Sequence, residues 1–168
     1  MKKNNVIGFT SLIIVLVIAG TIFYSSSQPY GKQTLIPVLE TSLSTKPFED
    51  VLMKVEFTYG SQPVSIAKGG YYHFIEFFIR KAAHFSIYFI MGMIYILILH
   101  SFRVKKQLIW VLSPITLSLF AVTDEWHQSF TVDRTPLVSD VILDSIGALL
   151  GILLMIIILR IRKKRQLS

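Results

Sequence analysis

Lys81, His84, Tyr88 and Gly92 recur at spacings of three, four and four. On a helix these spacings place them on one face. An ammonium, an imidazole and a phenol along one stripe can hold an anion or carry a proton. The plain alternative is a snorkelling lysine above a hydrogen-bonded histidine. A second group, Asp124-Glu125-Trp126-His127-Gln128, closes a wholly apolar run. Two adjacent carboxylates at a membrane boundary are costly unless something pairs with them, and Arg134 is the natural partner. A solvated helix end with Trp126 as a belt residue would explain His127, but explains the two acids poorly. The third group is Asp140, Asp144, Gly147 and Gly151, again one helical face. Its glycines form a small-xxx-small pattern that admits a close neighbour. Asp144 is expected to face the bundle interior, either in a site or in a hydrogen bond between helices.

The elements that must position these groups are apolar helices. The chain has 168 residues, 52% hydrophobic and only 16% charged, and its mean hydropathy is +0.59. A soluble domain carries about 25% charged residues. Four apolar runs are expected to cross a bilayer: Val6 to Tyr24, Ala82 to Phe102, Gln107 to Thr123 with Pro114 inside, and Val141 to Leu159. Each approaches the ~20 residues that a span needs. The first reads as an uncleaved anchor, because a signal-peptide core is only about 7–15 residues long. There are no cysteines, which excludes disulfides, thiolate metal sites and a lipoprotein cysteine.

The net charge of +7 does not point to nucleic acid. The basic clusters are Lys2-Lys3, Arg103 with Lys105-Lys106, and Arg160 to Arg165, and each abuts an apolar run. Clusters so placed anchor helices at a cytoplasmic surface and meet anionic lipid there. Both termini are therefore expected to be cytoplasmic. All ten acids, from Glu40 to Asp144, then fall on the outer side.

The expected organisation is an anchor over residues 1–24, an extracytoplasmic segment over 25–80, a three-helix core over 81–160 and a basic tail over 161–168. The extracytoplasmic segment opens with a loop, Ser25-Ser26-Ser27-Gln28-Pro29-Tyr30-Gly31. Alternation from Val51 to Tyr59 predicts a strand, with a turn at Gly60-Ser61-Gln62-Pro63 leading into Val64–Ala67. A short helix after Pro47 competes for residues 48–54. Tyr71 to Lys81, rich in aromatics, predicts an interfacial helix feeding the second span. The fold class is thus an all-α membrane protein, a four-helix bundle with a small extracytoplasmic segment and a candidate hairpin.

Two stretches, Arg80-Lys81-Ala82-Ala83-His84-Phe85-Ser86-Ile87-Tyr88 and Asp124-Glu125-Trp126-His127-Gln128-Ser129-Phe130, are followed by Arg134, Ser139-Asp140-Val141, Gly147 and Gly151. This order and spacing resemble the VanZ-like family. The resemblance implies a small multi-pass protein of a bacterial membrane, associated with resistance to glycopeptide antibiotics, teicoplanin in particular. The family usually has Pro-Gly where this chain has Val132-Asp133, and often asparagine in place of Asp144.

Three classes of function fit these residues. In an enzyme acting on a lipid-linked or envelope substrate, His84, Asp124 or Glu125 would be the acid or base. Lys81 and Arg134 would hold a phosphate, and Tyr88, His127, Gln128, Asp140 and Asp144 would line the site. In a binding module the same pocket would sequester a lipid headgroup or an amphiphilic antibiotic. In a structural or transport protein these residues would only hold the helices together, and transport fits least because the inner half of the helices lacks a continuing polar path. No cofactor is indicated. Carboxylates with a histidine are compatible with a divalent metal, although the chain has no His-Glu-x-x-His spacing. Membrane lipids, a lipid-linked cell-wall precursor and a glycopeptide are the candidate partners.

Overall fold

The computed structural model describes residues 2–132 and 134–166. Asp133, half of the dipeptide noted above, lies outside them. Among the described residues, four helices are long and apolar enough to cross a membrane: α1 (Lys2–Ser26), α5 (Tyr71–Ser101), α6 (Lys106–Gln128) and α7 (Val138–Arg165). Between α1 and α5 come three short helices, α2 (Ile36–Ser42), α3 (Glu49–Leu52) and α4 (Ile66–Gly69), and two strands, β1 (Glu56–Tyr59) and β2 (Gln62–Ser65).

Packing runs closest between α5 and α7. A Cβ on Gly147 would stand 2.6 Å from the Phe85 carbonyl oxygen. One on Gly151 would overlap the Phe89 carbonyl, and one on Gly92 the Ala148 carbonyl. The three glycines therefore let two backbones touch, as the small-xxx-small spacing predicts. Tyr88, Ile96, Ala121, Ala148 and Ile152 fill the centre of the bundle. Helix α1 lies against α5 and α6 and keeps a broad apolar face outward, including Val6, Phe9, Ile13, Leu16 and Val17. That face suits lipid.

The segment between α1 and α5 differs in detail from the expectation. Ser25 and Ser26 close helix α1 instead of opening a loop. Residues 48–54 resolve in favour of the short helix, so the strand is confined to Glu56–Tyr59. The hairpin turns on two residues only, Gly60-Ser61, with Tyr59 opposite Gln62. Gly60 has φ +61, the positive value that two-residue hairpin turns require. Val64–Ala67 is split, because Ile66 already begins α4. Ile66, Tyr71 and Phe74 form a small second core that seats this segment on the start of α5. The expected interfacial helix and second span form one unbroken helix of 31 residues.

Candidate functional site

Where α5 and α7 cross, the predicted faces meet. Lys81 Nζ lies 2.5 Å from Asp140 Oδ1, and His84 Nδ1 lies 3.5 Å from Asp144 Oδ2. Asp144 is 3% exposed and so faces the bundle. The Tyr59 hydroxyl, carried in by β1, donates to Asp140 at 2.7 Å, and Lys81 stands over the Tyr59 ring at 4.8 Å. Burial first, then the hydrogen bond and charge of Asp140, hold the Tyr59 phenol well above its ordinary value.

On α6 the acids are held by neutral donors. Asp124, 1% exposed, accepts from the Ser26 hydroxyl of α1 and from the Gln128 amide at 3.1 Å. Glu125 accepts the Leu137 backbone N–H at 2.6 Å, which pins the loop leading into α7. The expected pairing of Arg134 with Glu125 is not formed. Arg134 donates instead to Gln128 Oε1 at 3.3 Å and to Gln33 Oε1 at 2.8 Å. The reason is that Glu125 is already satisfied by the loop, while the Gln128 amide stands between Asp124 and the guanidinium.

Gln33 reaches this place because its segment is tethered to α5. Glu76, 1% exposed, accepts from the Tyr30 hydroxyl, the Leu35 N–H at 2.7 Å and the Thr34 hydroxyl at 3.4 Å. Burial, then the hydrogen bond and charge of Glu76, raise the Tyr30 phenol above its ordinary value. Arg80 covers the Tyr30 ring at 4.9 Å.

A cavity of about 190 Å³ opens among these groups, lined by Ser25, Ser26, Gln33, His84, Gln128 and Arg134 with apolar side chains of α1 and α5. Among the described residues, Arg134 Nε, Tyr88 Oη and Asp144 Oδ1 are buried without a hydrogen-bond partner. Burial holds the Arg134 guanidinium below its ordinary value and nearby Arg80 adds to that, against the opposing pull of Asp124, Glu125 and Asp140. Neither arginine forms an ion pair among the described residues. A guanidinium that lines a cavity without a directly bound carboxylate among the described residues, as Arg134 does, can receive an anion.

The ten residues singled out from sequence do not form one cluster. His84, Gln128 and Arg134 line the cavity. Lys81 is turned away into its pair with Asp140 and borders a separate hollow with Tyr30, His73 and Arg80. His127 leaves the group and stacks on Phe23 of α1, with ring centroids 3.7 Å apart. Tyr88 sits fully buried beneath, within the electrostatic reach of Asp124, Asp144 and Glu125. The pocket was expected between α5, α6 and α7; instead α1 forms a wall through Thr21, Ile22, Ser25 and Ser26, and α7 contributes no lining residue. Sequence reasoning missed Ser26, Gln33, Tyr59 and Glu76. Only Glu76 carried a signal, as an acid inside an aromatic helix. No three His, Asp or Glu side chains among the described residues gather closely enough to hold a metal ion.

Four membrane-length helices closed around a buried polar network define a small multi-pass membrane protein. The sequence model of the VanZ/LLP1 family matches residues 10–159, and the chain belongs to that family. No curated protein and no solved structure matches the chain.

Proposed function

We propose that the cavity between α1, α5 and α6 recognises an anionic headgroup, such as the phosphate of a lipid-linked envelope precursor. Through it the protein would contribute to resistance against glycopeptides of the teicoplanin type. The observation that carries this reading is Arg134, a half-buried guanidinium at the cavity, which among the described residues donates to two neutral amides and keeps Nε without a partner. A guanidinium can grip phosphate through two parallel hydrogen bonds. Lys81, engaged by Asp140, and Arg80, which borders the separate hollow, are not direct contacts in this reading, which leaves Arg134 as the cation that lines the cavity. The end of the bundle bearing residues 27–70 faces the outside, with the basic end in the cytoplasm. The partition of basic clusters supports this orientation, and reporter fusions at Lys46 and Ser168 check it.

Arg134→Lys keeps the charge and loses the fork. It is expected to abolish resistance while membrane levels stay normal. Glu125→Gln keeps an acceptor for the Leu137 N–H and removes a charge, with the same expected outcome. Normal levels with full resistance in both variants would remove the cavity from consideration. A second reading, in which the polar residues only brace the bundle, is favoured for Lys81, His84, Asp140 and Asp144 by their direct pairing across α5 and α7. It expects lost resistance to track lost protein in the membrane.

A further inference from the structure

The opposite end of the bundle carries a second cavity, of about 120 Å³, between α5, α6 and α7. Its walls are apolar: Ile96, Ile109, Trp110, Ile156 and Leu159. Its rim is cationic, with Lys106, Arg160 and Lys163 beside His100. None of these cations forms an ion pair among the described residues. The nearest acid along α7 is Asp144, sixteen residues before Arg160, which is about 24 Å of helix. Helix α6 also starts here at Lys106, with no side-chain cap on its first turn. Free N–H groups of a helix start therefore lie beside the same rim.

We propose that this groove is a binding site for an anionic phospholipid. The phosphate sits among Lys106, Arg160 and Lys163, and an acyl chain runs along Ile109, Trp110 and Ile156. Both halves of the surface are needed to select this occupant. A cationic rim alone would take any anion, and an apolar wall alone any lipid tail. An acidic peptide would match the rim but leave the wall bare. A zwitterionic lipid would bring its own ammonium against the rim. The cavity holds only a headgroup and the first methylenes, and the rest of the chain continues over the exposed apolar face of α6, where Trp110 is 43% and Val111 54% exposed.

Trp110 is a built-in reporter, because Trp126 is the only other tryptophan and lies at the far end of α6. A Trp126→Phe protein in phosphatidylcholine vesicles is titrated with phosphatidylglycerol, or with phosphatidylcholine, brominated on the acyl chain. The expected result is that brominated phosphatidylglycerol quenches Trp110 at lower mole fraction. Arg160→Gln should lower that preference about fivefold, the equivalent of ~1 kcal/mol per surface cation. The triple variant K106Q/R160Q/K163Q should abolish it. The control R162Q/K164Q/R165Q removes as many charges from the last turns of α7 without touching the cavity, and should keep it. Equal quenching by the two lipids overturns the proposal. So does an equal loss of preference in both triple variants, which would reduce the effect to general surface charge.

Discussion

On α7, Asp140 and Asp144 meet Lys81 and His84 across a crossing where backbones touch; on α6, Asp124 and Glu125 meet a hydroxyl, an amide and a peptide N–H. The first pair is answered where it stands, each carboxylate by a basic side chain on the neighbouring rigid helix. The second pair is hydrogen-bonded but not neutralised at contact. Its charge is balanced from further off by Arg134, with the Gln128 amide interposed. Local pairing joins helices and engages Lys81 and His84 directly, although Asp144 Oδ1 has no partner among the described residues and His84 also borders the cavity. Distributed pairing costs the site some stability and leaves a cation able to exchange one partner for another. The comparison fits bracing at the α5–α7 contact, and it is consistent with the recognition proposed for the α1–α6 side.

The brace should break most completely at its backbone contact. In Gly151→Leu the new side chain meets the Phe89 carbonyl, which is backbone and cannot swing aside. The expected cost exceeds about 3 kcal/mol, seen as loss of the protein from the membrane fraction. A variant that accumulates normally would show that the crossing can reopen. Next comes the ion pair itself. Lys81→Met leaves Asp140 with the Tyr59 hydroxyl but without its counter-charge and should cost roughly 1–3 kcal/mol, nearer the low end because both side chains are partly exposed. Lys81→Met/Asp140→Leu should recover most of it, as thermal unfolding in detergent would reveal. The corresponding double change at Arg134 and Glu125 should show little coupling, because those two are not in contact.

The smallest effect is at Tyr59. Its phenol is held above its ordinary value, so the proton is bound more tightly in the folded state than in the unfolded one. That contribution is complete below about pH 10, the ordinary tyrosine value, and declines as pH rises further. Tyr59→Phe should cost about 1 kcal/mol at neutral pH and flatten the alkaline part of the stability profile. An unchanged profile would mean that the hairpin does not grip α7 in solution.

Sequence periodicity was enough to find the brace, and physics explains why. Lys81, His84 and Tyr88 share a face because helical geometry allows nothing else, and the same holds for Asp140, Asp144, Gly147 and Gly151. The apolar runs located the helices to within a few residues, although the aromatic entry of α5 gave no sign that it would join the span without a break. The distributed site was much less legible. Ser26 reaches Asp124 across 98 residues and Gln33 reaches Arg134 across 101. Glu125 is answered by a peptide N–H, which no side-chain pattern announces. Contacts of that kind depend on how a loop settles on a finished bundle, and no local spacing encodes them.

The unbroken α5 has a consequence for bilayer thickness. Its 31 residues span about 46 Å at 1.5 Å per residue, against a hydrocarbon layer of about 30 Å. The excess cannot all sit in oil, and Arg80 and Lys81 mark where the charged stretch ends. The aromatic turns from Tyr71 to Phe78 then belong in the headgroup layer, with His84 just inside the hydrocarbon. A single rigid rod thus acts as a depth gauge: a thinner bilayer would lift the polar cavity toward water, and a thicker one would draw it down among the acyl chains. Mismatch of this sort is relieved by tilt or local deformation at a modest cost per ångström, so the chain length of the surrounding lipid becomes a control on what can reach Arg134.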